Sequence, residues 1–277
     1  MLLQSITCPL CDGDKYVLFA EENSYKAVRC SNCGLIYVNP RPDLSLISEA
    51  VNTGVHSEVE GGRNVVVRRS GSKVNQYKKI LSEMFTDKWE KKDPISWLDV
   101  GAGYGEFIEA VGSMAPNGSN ILGIEPMHPK VIAAQKGGLN VKEMYLADVN
   151  EHYDIISLIN VFSHLPNIKS FLNEVKQVLK QGGELFLETG NIADLESSKE
   201  VPTELDLPDH LIFAGERQIE LWLSNAGFEI LSIKRLRKDI FSNLLKNIVK
   251  KILGRKVTLA LPYTSAYRSL LVRARLL

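Results

Sequence analysis

Residues 95–105 read Ile95-Ser-Trp-Leu-Asp-Val-Gly-Ala-Gly-Tyr-Gly105, an apolar run that leads into a loop with three glycines. The apolar run is typical of a buried strand, and residues 105–114 have the apolar spacing of a helix. Glycines at a strand-to-helix turn let the backbone turn sharply and let a ligand lie against it. The stretch therefore predicts the first strand and helix of a doubly wound α/β domain, with a ligand at the turn.

Strand and helix patterns alternate from this stretch to the end of the chain. The predicted strands are 95–100, 120–125, 141–146, 153–161, 184–188, 229–236 and 269–275, and the predicted helices between them are 105–114, 129–136, 168–179 and 217–226. Another amphipathic helix is predicted over 74–89. This order predicts a three-layer α/β domain with a doubly wound, seven-stranded sheet over residues 93–277.

All four cysteines lie within the first 33 residues, as Cys8-Pro-Leu-Cys11 and Cys30-Ser-Asn-Cys33. Two such turns that face each other supply four thiolates in the tetrahedral arrangement that zinc prefers. Two disulfides are the alternative, but they require an oxidising compartment and an export signal, and no signal peptide is evident. We expect a small zinc ribbon over residues 1–40 and a helical linker or lid over 41–92. Four sulfur ligands leave no open position, so the zinc would be structural.

The charge of the chain is balanced overall but unevenly distributed. The 277 residues include 33 basic and 33 acidic side chains, which argues against a nucleic-acid backbone as the main partner. No apolar run approaches the roughly 20 residues that span a bilayer, so we expect a cytoplasmic protein. Residues 234–277 hold twelve Lys or Arg and one acidic residue. Within them, 240–256 has the pattern of a basic amphipathic helix, which predicts either peripheral contact of 241–253 with the inner membrane surface or packing on the protein.

The residues around the glycine loop indicate its ligand. A dinucleotide loop has Gly or Ala where this chain has Glu106, and the Gly-Lys-Ser/Thr of a phosphate loop is missing. Asp99 ends the first strand, where a carboxylate suits a cation better than a pyrophosphate. Glu125 ends the second strand, where a carboxylate can accept hydrogen bonds from both ribose hydroxyls. S-adenosylmethionine has an ammonium, a sulfonium and a ribose but no phosphate, so we expect it to be the cofactor. The loop residues of this expected site are Gly101, Ala102 and Gly103.

With these features, residues 93–277 resemble the class I S-adenosylmethionine-dependent methyltransferases, which share a Rossmann-like seven-stranded fold. The resemblance implies that Asp99 lies near the methionine amino group and that Glu125 binds the ribose. It also implies that Met127 flanks the adenine ring, that Asp148 and Val149 lie at the adenine edge, and that Asn160 lines the methyl-donor pocket.

A narrower resemblance rests on four stretches. They are Cys30-Ser-Asn-Cys-Gly-Leu-Ile-Tyr-Val-Asn-Pro-Arg-Pro42, Ser163-His-Leu165, Asp209-His-Leu-Ile-Phe213 and Leu223-Ser-Asn-Ala-Gly-Phe228, and they are similar to a bacterial subgroup that joins a zinc ribbon to this fold. That subgroup is linked to sugar and surface-polysaccharide biosynthesis. Its sugar C-methyltransferases have a large C-terminal domain that this sequence lacks, so we expect methylation of a hydroxyl oxygen.

Histidines are the candidate bases, because a neutral imidazole can take the proton of a hydroxyl nucleophile near pH 7. His210 follows an acidic loop after the fifth strand, near the expected entry of the acceptor, and Asp209 or Asp206 is a candidate to orient its ring. His164 follows the fourth strand at the same edge of the sheet. We expect catalytic roles for His210 and His164, the alternative for each being a structural loop histidine. No role is expected for His56, His128 and His152.

The sequence thus predicts an enzyme that transfers a methyl group from S-adenosylmethionine to a hydroxyl of a sugar or glycoconjugate precursor. Two alternatives remain. One is an rRNA base methyltransferase, since some of these enzymes have an N-terminal zinc module, although the net charge of −11 over residues 1–233 opposes it. The other is a non-catalytic adapter that binds the cofactor and docks a partner through its ribbon.

Overall fold

The computed structural model describes residues 3–57, 59, 63–64, 69–202, 204–237 and 265–277, with the backbone alone at 63–64. The strands are β1 (Leu3–Gln4), β2 (Tyr16–Glu22), β3 (Tyr25–Cys30), β4 (Ile36–Val38), β5 (Arg41–Pro42), β6 (Val55–His56), β7 (Arg63–Asn64), β8 (Ser96–Val100), β9 (Asn120–Ile124), β10 (Val141–Lys142), β11 (Tyr153–Ile159), β12 (Leu179–Gly190), β13 (Ile212–Phe213), β14 (Phe228–Leu236) and β15 (Ser269–Leu276). The helices are α1 (Leu44–Thr53), α2 (Gly71–Met84), α3 (Thr86–Lys91), α4 (Glu106–Met114), α5 (His128–Lys136), α6 (Ile168–Val178) and α7 (Glu216–Asn225). Short 3-10 helices lie at Leu146–Asp148, Phe162–His164, Ile192–Asp194 and Ser198–Glu200. The predicted basic helix over 240–256 lies outside the described residues.

The central sheet has seven strands in the order β10-β9-β8-β11-β12-β15-β14. The first five are parallel to one another, whereas β15 runs antiparallel to both β12 and β14. Parallel strands covered on both faces need apolar side chains in both directions, which is why their sequences are continuous apolar runs. The predicted doubly wound, seven-stranded α/β fold is confirmed.

Helices cover both faces of this sheet. On one face, α2, α3 and α4 bury an aromatic cluster in which Phe85 and Phe107 pack against Trp97 and Phe186 of the strands. The core on the other face includes apolar residues of α6 and α7. The two buried faces hold the strands in register and fix the edge at which their carboxyl ends meet.

Two predicted elements differ from those observed on the aromatic face and at the sheet edge. The helix predicted over 74–89 is divided into α2 and α3 at Phe85 (φ −128°, ψ 30°). The break lets the fully buried Phe85 ring contact Trp97 and Phe186, so burial of this ring prevails over helical continuity. The strand predicted over 141–146 is shorter, because β10 ends at Lys142 and a 3-10 helix follows.

The fifth strand begins earlier than predicted. β12 starts at Leu179 directly after α6, whereas the sequence predicts its start at 184. Leu179 pairs with Tyr153, and the register then shifts so that Glu184 pairs with Ile155. Gly182 has a positive φ of 69° within this irregularity. Gly182 and Gly183, which the predicted elements leave between helix and strand, therefore form part of an irregularity within β12.

The N-terminal segment forms an antiparallel sheet in the order β13-β4-β3-β2. Its edge strand β13 comes from the chain after β12, with Ile212 opposite Tyr37. In addition, the Gln218 side chain of α7 (5% exposed) donates a hydrogen bond to the Cys33 carbonyl at 2.8 Å. Strand pairing and this buried hydrogen bond attach the cysteine segment to the α/β domain. The domain boundaries at residues 40 and 92 stay predictions.

The linker region contains α1 and the hairpin of β6 and β7. Asp43 caps α1, because its carboxylate accepts hydrogen bonds from the backbone N–H groups of Ser45 and Leu46. None of the helices among the described residues has the length and apolar character needed to cross a bilayer.

Candidate functional site

The glycine loop joins β8 to α4 in a conformation that requires glycine. Gly101, Gly103 and Gly105 all have positive φ, at 71°, 56° and 82°. A Cβ atom at Gly101 would lie 2.5 Å from Val161 Cγ2, so the loop is in close contact with the chain after β11. The backbone N–H groups of Gly101 and Ala102 both donate to the carbonyl that ends β9, at 2.9 Å. The loop is therefore held between the ends of three neighbouring strands.

Glu125 is buried (5% exposed) and is fixed by two backbone groups. Its Oε2 accepts a hydrogen bond from the Gly103 N–H at 2.9 Å, and its Oε1 accepts one from the Met127 N–H at 3.0 Å. A carboxylate offers about four lone-pair positions, so each oxygen retains the capacity to accept another hydrogen bond. Glu125 thus both shapes the loop and presents a carboxylate to a ligand.

Asp99 is 1% exposed at the end of β8. The Ser157 hydroxyl donates to Asp99 Oδ1 at 2.5 Å and itself accepts a hydrogen bond from Trp97 Nε1 at 2.9 Å. Burial raises the pKa of Asp99 to about 7, and the negative charge of Glu125 also raises it, against the lowering effect of the Ser157 hydrogen bond. A carboxyl in this state gains stability in its ionised form when a cation binds beside it.

The other residues expected at the cofactor follow successive strands. Met127 is buried (4% exposed) at the N-terminus of α5, and Val149 is half-buried after the 3-10 helix Leu146–Asp148. Asp148 is exposed, and its carboxylate accepts a hydrogen bond from the Tyr145 N–H at 3.4 Å. Asn160 has a left-handed φ of 58° directly after β11 and is exposed. The topology places this set at the carboxyl ends of the parallel strands, which is where ligands bind in open α/β sheets.

The four cysteines form one cluster. Cys8 Sγ lies 3.5 Å from Cys33 Sγ, and Cys11 Sγ lies 3.5 Å from Cys30 Sγ. All four sulfurs lie within 4.8 Å of one another. Tetrahedral zinc with Zn–S bonds of about 2.3 Å requires S···S separations of about 3.8 Å, so the donor set and its spacing fit zinc. Burial raises the pKa of Cys8, and a bound cation would compensate for a buried thiolate there.

The two predicted catalytic histidines come together. His164 ends the 3-10 helix that follows β11, and its ring centroid lies 4.6 Å from that of His210, edge to face. His164 Nδ1 donates to the Asp209 carbonyl at 2.9 Å, and His210 Nδ1 donates to the Leu205 carbonyl at 3.1 Å. In a neutral ring with the proton on Nδ1, the basic lone pair is on Nε2. In this tautomer, Nε2 of each ring is the nitrogen that can act as a base.

The histidine pair and the glycine loop lie at the same edge of the sheet. Val161, which lies close to Gly101, immediately precedes the 3-10 helix that contains His164. The Leu211 N–H donates to the Ser163 carbonyl at 2.8 Å, which fastens the chain beside His210 to the same helix. Short stretches of chain therefore connect the imidazoles to the loop at which the cofactor is expected.

The Leu205 carbonyl accepts a hydrogen bond from the His210 ring. An oxygen of the Asp209 carboxylate lies within 4.8 Å of a His210 ring nitrogen, so the orientation of His210 by Asp209 or Asp206 stays a prediction. The Asp209 carboxylate lies 3.6 Å from His164 Nδ1 and 3.2 Å from Nε2 of a third histidine, His56.

Asp209 and the imidazoles of His56, His164 and His210 form one group, the histidine cluster, in which the charged forms of Asp209 and His164 favour each other. Burial raises the pKa of Asp209, but hydrogen bonds from His164 and His56 hold it well below its usual range. Burial lowers the pKa of His164, yet the hydrogen bond and charge of Asp209 raise it above its ordinary value overall.

His56 is the residue of this cluster that sequence reasoning missed. It is 4% exposed, whereas the sequence gives it no role. It precedes Asp209 by 153 positions, so neither spacing nor a local motif could have indicated the contact. By contrast, His128 pairs with Glu143 at the surface, and His152 is exposed.

Comparison with known proteins identifies the domain. Residues 71–233, more than half of the chain, match the family model described as a methyltransferase domain. A ubiquinone biosynthesis O-methyltransferase of Salmonella newport is 31% identical over 104 residues, which are 34% of this chain and 42% of that protein. The chain therefore matches less than half the length of this curated relative.

Solved structures with low sequence identity share the fold. A geranyl diphosphate C-methyltransferase from Streptomyces coelicolor A3(2), in complex with Mg²⁺, geranyl-S-thiolodiphosphate and S-adenosyl-L-homocysteine, has a TM-score of 0.55 at 13% identity, covering 77% of this chain and 83% of that chain. A cyclopropane synthase from Mycobacterium tuberculosis has a TM-score of 0.51 at 15% identity, covering 74% and 83%.

Proposed function

This chain belongs to the methyltransferase domain family, and from that premise we propose that it transfers the methyl group of S-adenosylmethionine to a hydroxyl of a sugar or glycoconjugate precursor. The observation that carries the proposal is the pair of imidazoles, His164 and His210, at the same edge of the sheet as a glycine loop with two buried carboxylates. The carboxylates suit a cationic nucleoside, and the imidazoles suit a hydroxyl nucleophile.

The cofactor site is proposed at the loop of Gly101, Ala102 and Gly103. When bound there, S-adenosylmethionine supplies a methyl group activated by a sulfonium. Asp99 accepts from the methionine ammonium, and Glu125 accepts from the ribose hydroxyls with the lone pairs that Gly103 and Met127 leave available. In this proposal Met127 flanks the adenine, Asp148 and Val149 lie at its edge, and Asn160 lines the pocket of the methyl donor.

His210 is the proposed general base. The sulfonium would supply the methyl group and keep the electron pair of the carbon–sulfur bond, and His210 Nε2 would take the proton of the acceptor hydroxyl. The Leu205 carbonyl accepts the Nδ1–H of the resulting imidazolium and so stabilises its charge. His164 packs edge to face against His210 and limits its rotation.

Oxygen is the proposed methylated atom. The curated relative that is 31% identical over 104 residues is an O-methyltransferase. The cluster offers imidazoles whose Nδ1–H groups are held by backbone carbonyls, and neutral imidazoles serve as bases for a hydroxyl nucleophile. The sugar class of the acceptor rests on the resemblance of the ribbon and of the Asp209–Phe213 stretch.

The cysteine cluster is proposed to hold one structural zinc ion. Its sulfur spacing fits tetrahedral coordination, and the Gln218–Cys33 hydrogen bond transmits the position of the ribbon to α7. A cytoplasmic location, with residues 241–253 at the inner membrane surface, also belongs to the proposal, and these residues lie outside the described part of the chain.

The test is methyl transfer from labelled S-adenosylmethionine to a panel of nucleotide-linked sugars, analysed by mass spectrometry. We expect a product one methyl group heavier, with fragmentation that places the methyl on oxygen. His210→Ala should lower turnover by about 100-fold or more while the affinity for the cofactor is unchanged. His152→Ala, which alters an exposed histidine, is the matched control. Label found in rRNA and in no sugar would contradict the proposal.

A further inference from the structure

His56 lies in the linker region, yet its side chain belongs to the histidine cluster. It is on β6, just after α1 ends at Gly54 in the left-handed conformation (φ 71°). The ring is 4% exposed, and its Nε2 lies 3.2 Å from Asp209 Oδ1. A segment far from the sheet strands in sequence thus supplies a buried imidazole to the proposed acceptor site.

The Asp209 carboxylate has two imidazole neighbours. His56 Nε2 donates to Oδ1, while His164 Nδ1 lies 3.6 Å from the same oxygen and donates to the Asp209 carbonyl at 2.9 Å. Hydrogen bonds that involve an ionised acceptor are the stronger ones and fix its direction. The contact with His56 therefore determines where the Asp209 carboxylate points.

Movement of Asp209 would reach both His210, the proposed base, and His164, which packs against it. Asp209 adjoins His210 in the chain and contacts His164 in space. The loop is fastened on either side, since the His210 N–H donates to the Asp206 carbonyl at 3.1 Å and the Leu211 N–H donates to the Ser163 carbonyl at 2.8 Å. Because the backbone is held in this way, the hydrogen bond from His56 acts on the direction of the Asp209 side chain.

We infer that His56 is a positioning residue of the acceptor site, which holds the Asp209 carboxylate so that His164 and His210 keep their orientation. The inference rests on the proposed function, because these two imidazoles are its base and the base's packing partner. It assigns to the linker region a part in the site, and it requires that His56 carry its proton on Nε2.

Two substitutions of His56 separate hydrogen bonding from packing. His56→Leu removes the N–H group and keeps a buried side chain of similar size, whereas His56→Gln keeps an amide N–H at similar reach. His152→Gln is the control, because His152 is exposed. With the sugar acceptor found in the labelled-methyl screen, we expect His56→Leu to lower kcat by about 10- to 100-fold, as small misplacements of catalytic groups do. The Kd for S-adenosylmethionine should stay unchanged, and His56→Gln should regain most of the activity.

A second measurement needs no acceptor. The chain has five histidines, so nitrogen NMR of histidine-labelled protein resolves each ring. We expect the His56 ring to be protonated at Nε2. The His164 and His210 ring signals should shift in His56→Leu, return toward the wild-type positions in His56→Gln, and stay in place in His152→Gln.

Several outcomes would overturn the inference. In one such outcome, the His164 and His210 ring signals and the kcat of His56→Leu are the same as those of the wild type. Another is an equal loss in His56→Leu and His56→Gln, together with weaker cofactor binding and a lower melting temperature, which would show a packing role. Mn²⁺ binding that disappears in Asp209→Asn would indicate a metal site instead, since His164, Asp209 and His210 have ligand atoms within 4.8 Å of one another. If the wild type methylates no sugar, the proposed function fails while the NMR signals still decide the role of His56.

Discussion

Asp99 couples ligand charge to its own protonation. The side chain is 1% exposed, and burial raises its pKa to about 7. Near neutral pH, the carboxyl is therefore present in both forms in the unliganded protein. A bound ammonium group favours the ionised form, so binding of a cation and release of a proton are linked.

Affinity for S-adenosylmethionine should increase as the pH rises from about 5.5 to 7. Below its pKa, Asp99 is protonated and must lose a proton before it pairs with the ammonium, whose own pKa near 7.7 keeps it charged over this range. We expect the Kd to fall by about tenfold over this interval, as measured by isothermal titration calorimetry.

The variant Asp99→Asn tests the assignment of this pH dependence. It should bind more weakly at pH 7 and show little change with pH, because an amide does not titrate. Asp93→Asn, which alters an exposed carboxylate before β8, should behave as the wild type. A wild-type Kd that is the same at pH 5.5 and 7 would contradict the role of Asp99.

At the scale of elements, β13 connects the cysteine segment to the proposed base. Residues 212–213 pair with β4, and His210 lies two positions before them. The Val38 N–H also donates to the Leu211 carbonyl at 2.9 Å, which extends the connection toward His210. The cysteine segment therefore pairs directly with the stretch of chain that follows His210.

Loss of one cysteine should reach the site through this pairing. Cys30→Ser removes one thiolate of the cluster, so we expect well below one zinc per chain by elemental analysis. Because metal binding contributes directly to folding, the melting temperature should fall by at least about 5 °C, and methyl transfer should decrease. Ser31→Ala, at an exposed neighbour, should keep its zinc. Full zinc content in Cys30→Ser would refute the four-cysteine site.

At the scale of the whole molecule, Arg273 joins the last strand to α3 and β12. Its Nε donates to Glu184 at 2.5 Å, and its Nη1 and Nη2 donate to the two oxygens of Asp87 at 2.6 and 2.8 Å. The guanidinium also lies over the Phe85 ring, 4.5 Å from its centroid. Glu184 is 2% exposed and has Lys88 as its other charged partner. These contacts tie residues 186 positions apart.

Arg273→Leu should destabilise the fold strongly. Removal of the guanidinium leaves the Glu184 carboxylate buried with Lys88 alone, and breaking a buried ion pair in this way costs about 3–5 kcal/mol. Urea unfolding followed by circular dichroism measures the free energy of unfolding. Arg275→Leu, at an exposed position on the same strand, should change it by less than about 1 kcal/mol. Equal effects of the two substitutions would refute the argument.

The ion pair between Arg273 and Asp87 predicts how the stability of the fold depends on pH. The hydrogen bond and charge of Arg273 lower the pKa of Asp87 below its ordinary value, against burial. The contribution of this ion pair to the free energy of unfolding is therefore fully present above the pKa that Asp87 has in the unfolded chain. It is lost as the pH falls through the lower pKa that Asp87 has in the folded protein. In Arg273→Leu, this part of the acid sensitivity should be reduced.

The local pattern of the sequence was enough to predict the doubly wound sheet and the glycine loop, to place Asp99 and Glu125 at the ends of their strands, and to bring the two cysteine pairs together. Strand burial on two faces, a turn that requires positive φ and a Cys-x-x-Cys turn each leave a trace in consecutive residues, because the constraint acts over a few positions.

Tertiary structure decided which distant residues meet. The contact of His56 with Asp209, the pairing of β13 with β4 and the break of the predicted helix at Phe85 depend on packing between segments far apart in the chain. Such contacts have no fixed spacing and leave no periodic signal in the sequence. They are determined by the free energy of burial and hydrogen bonding in the folded chain.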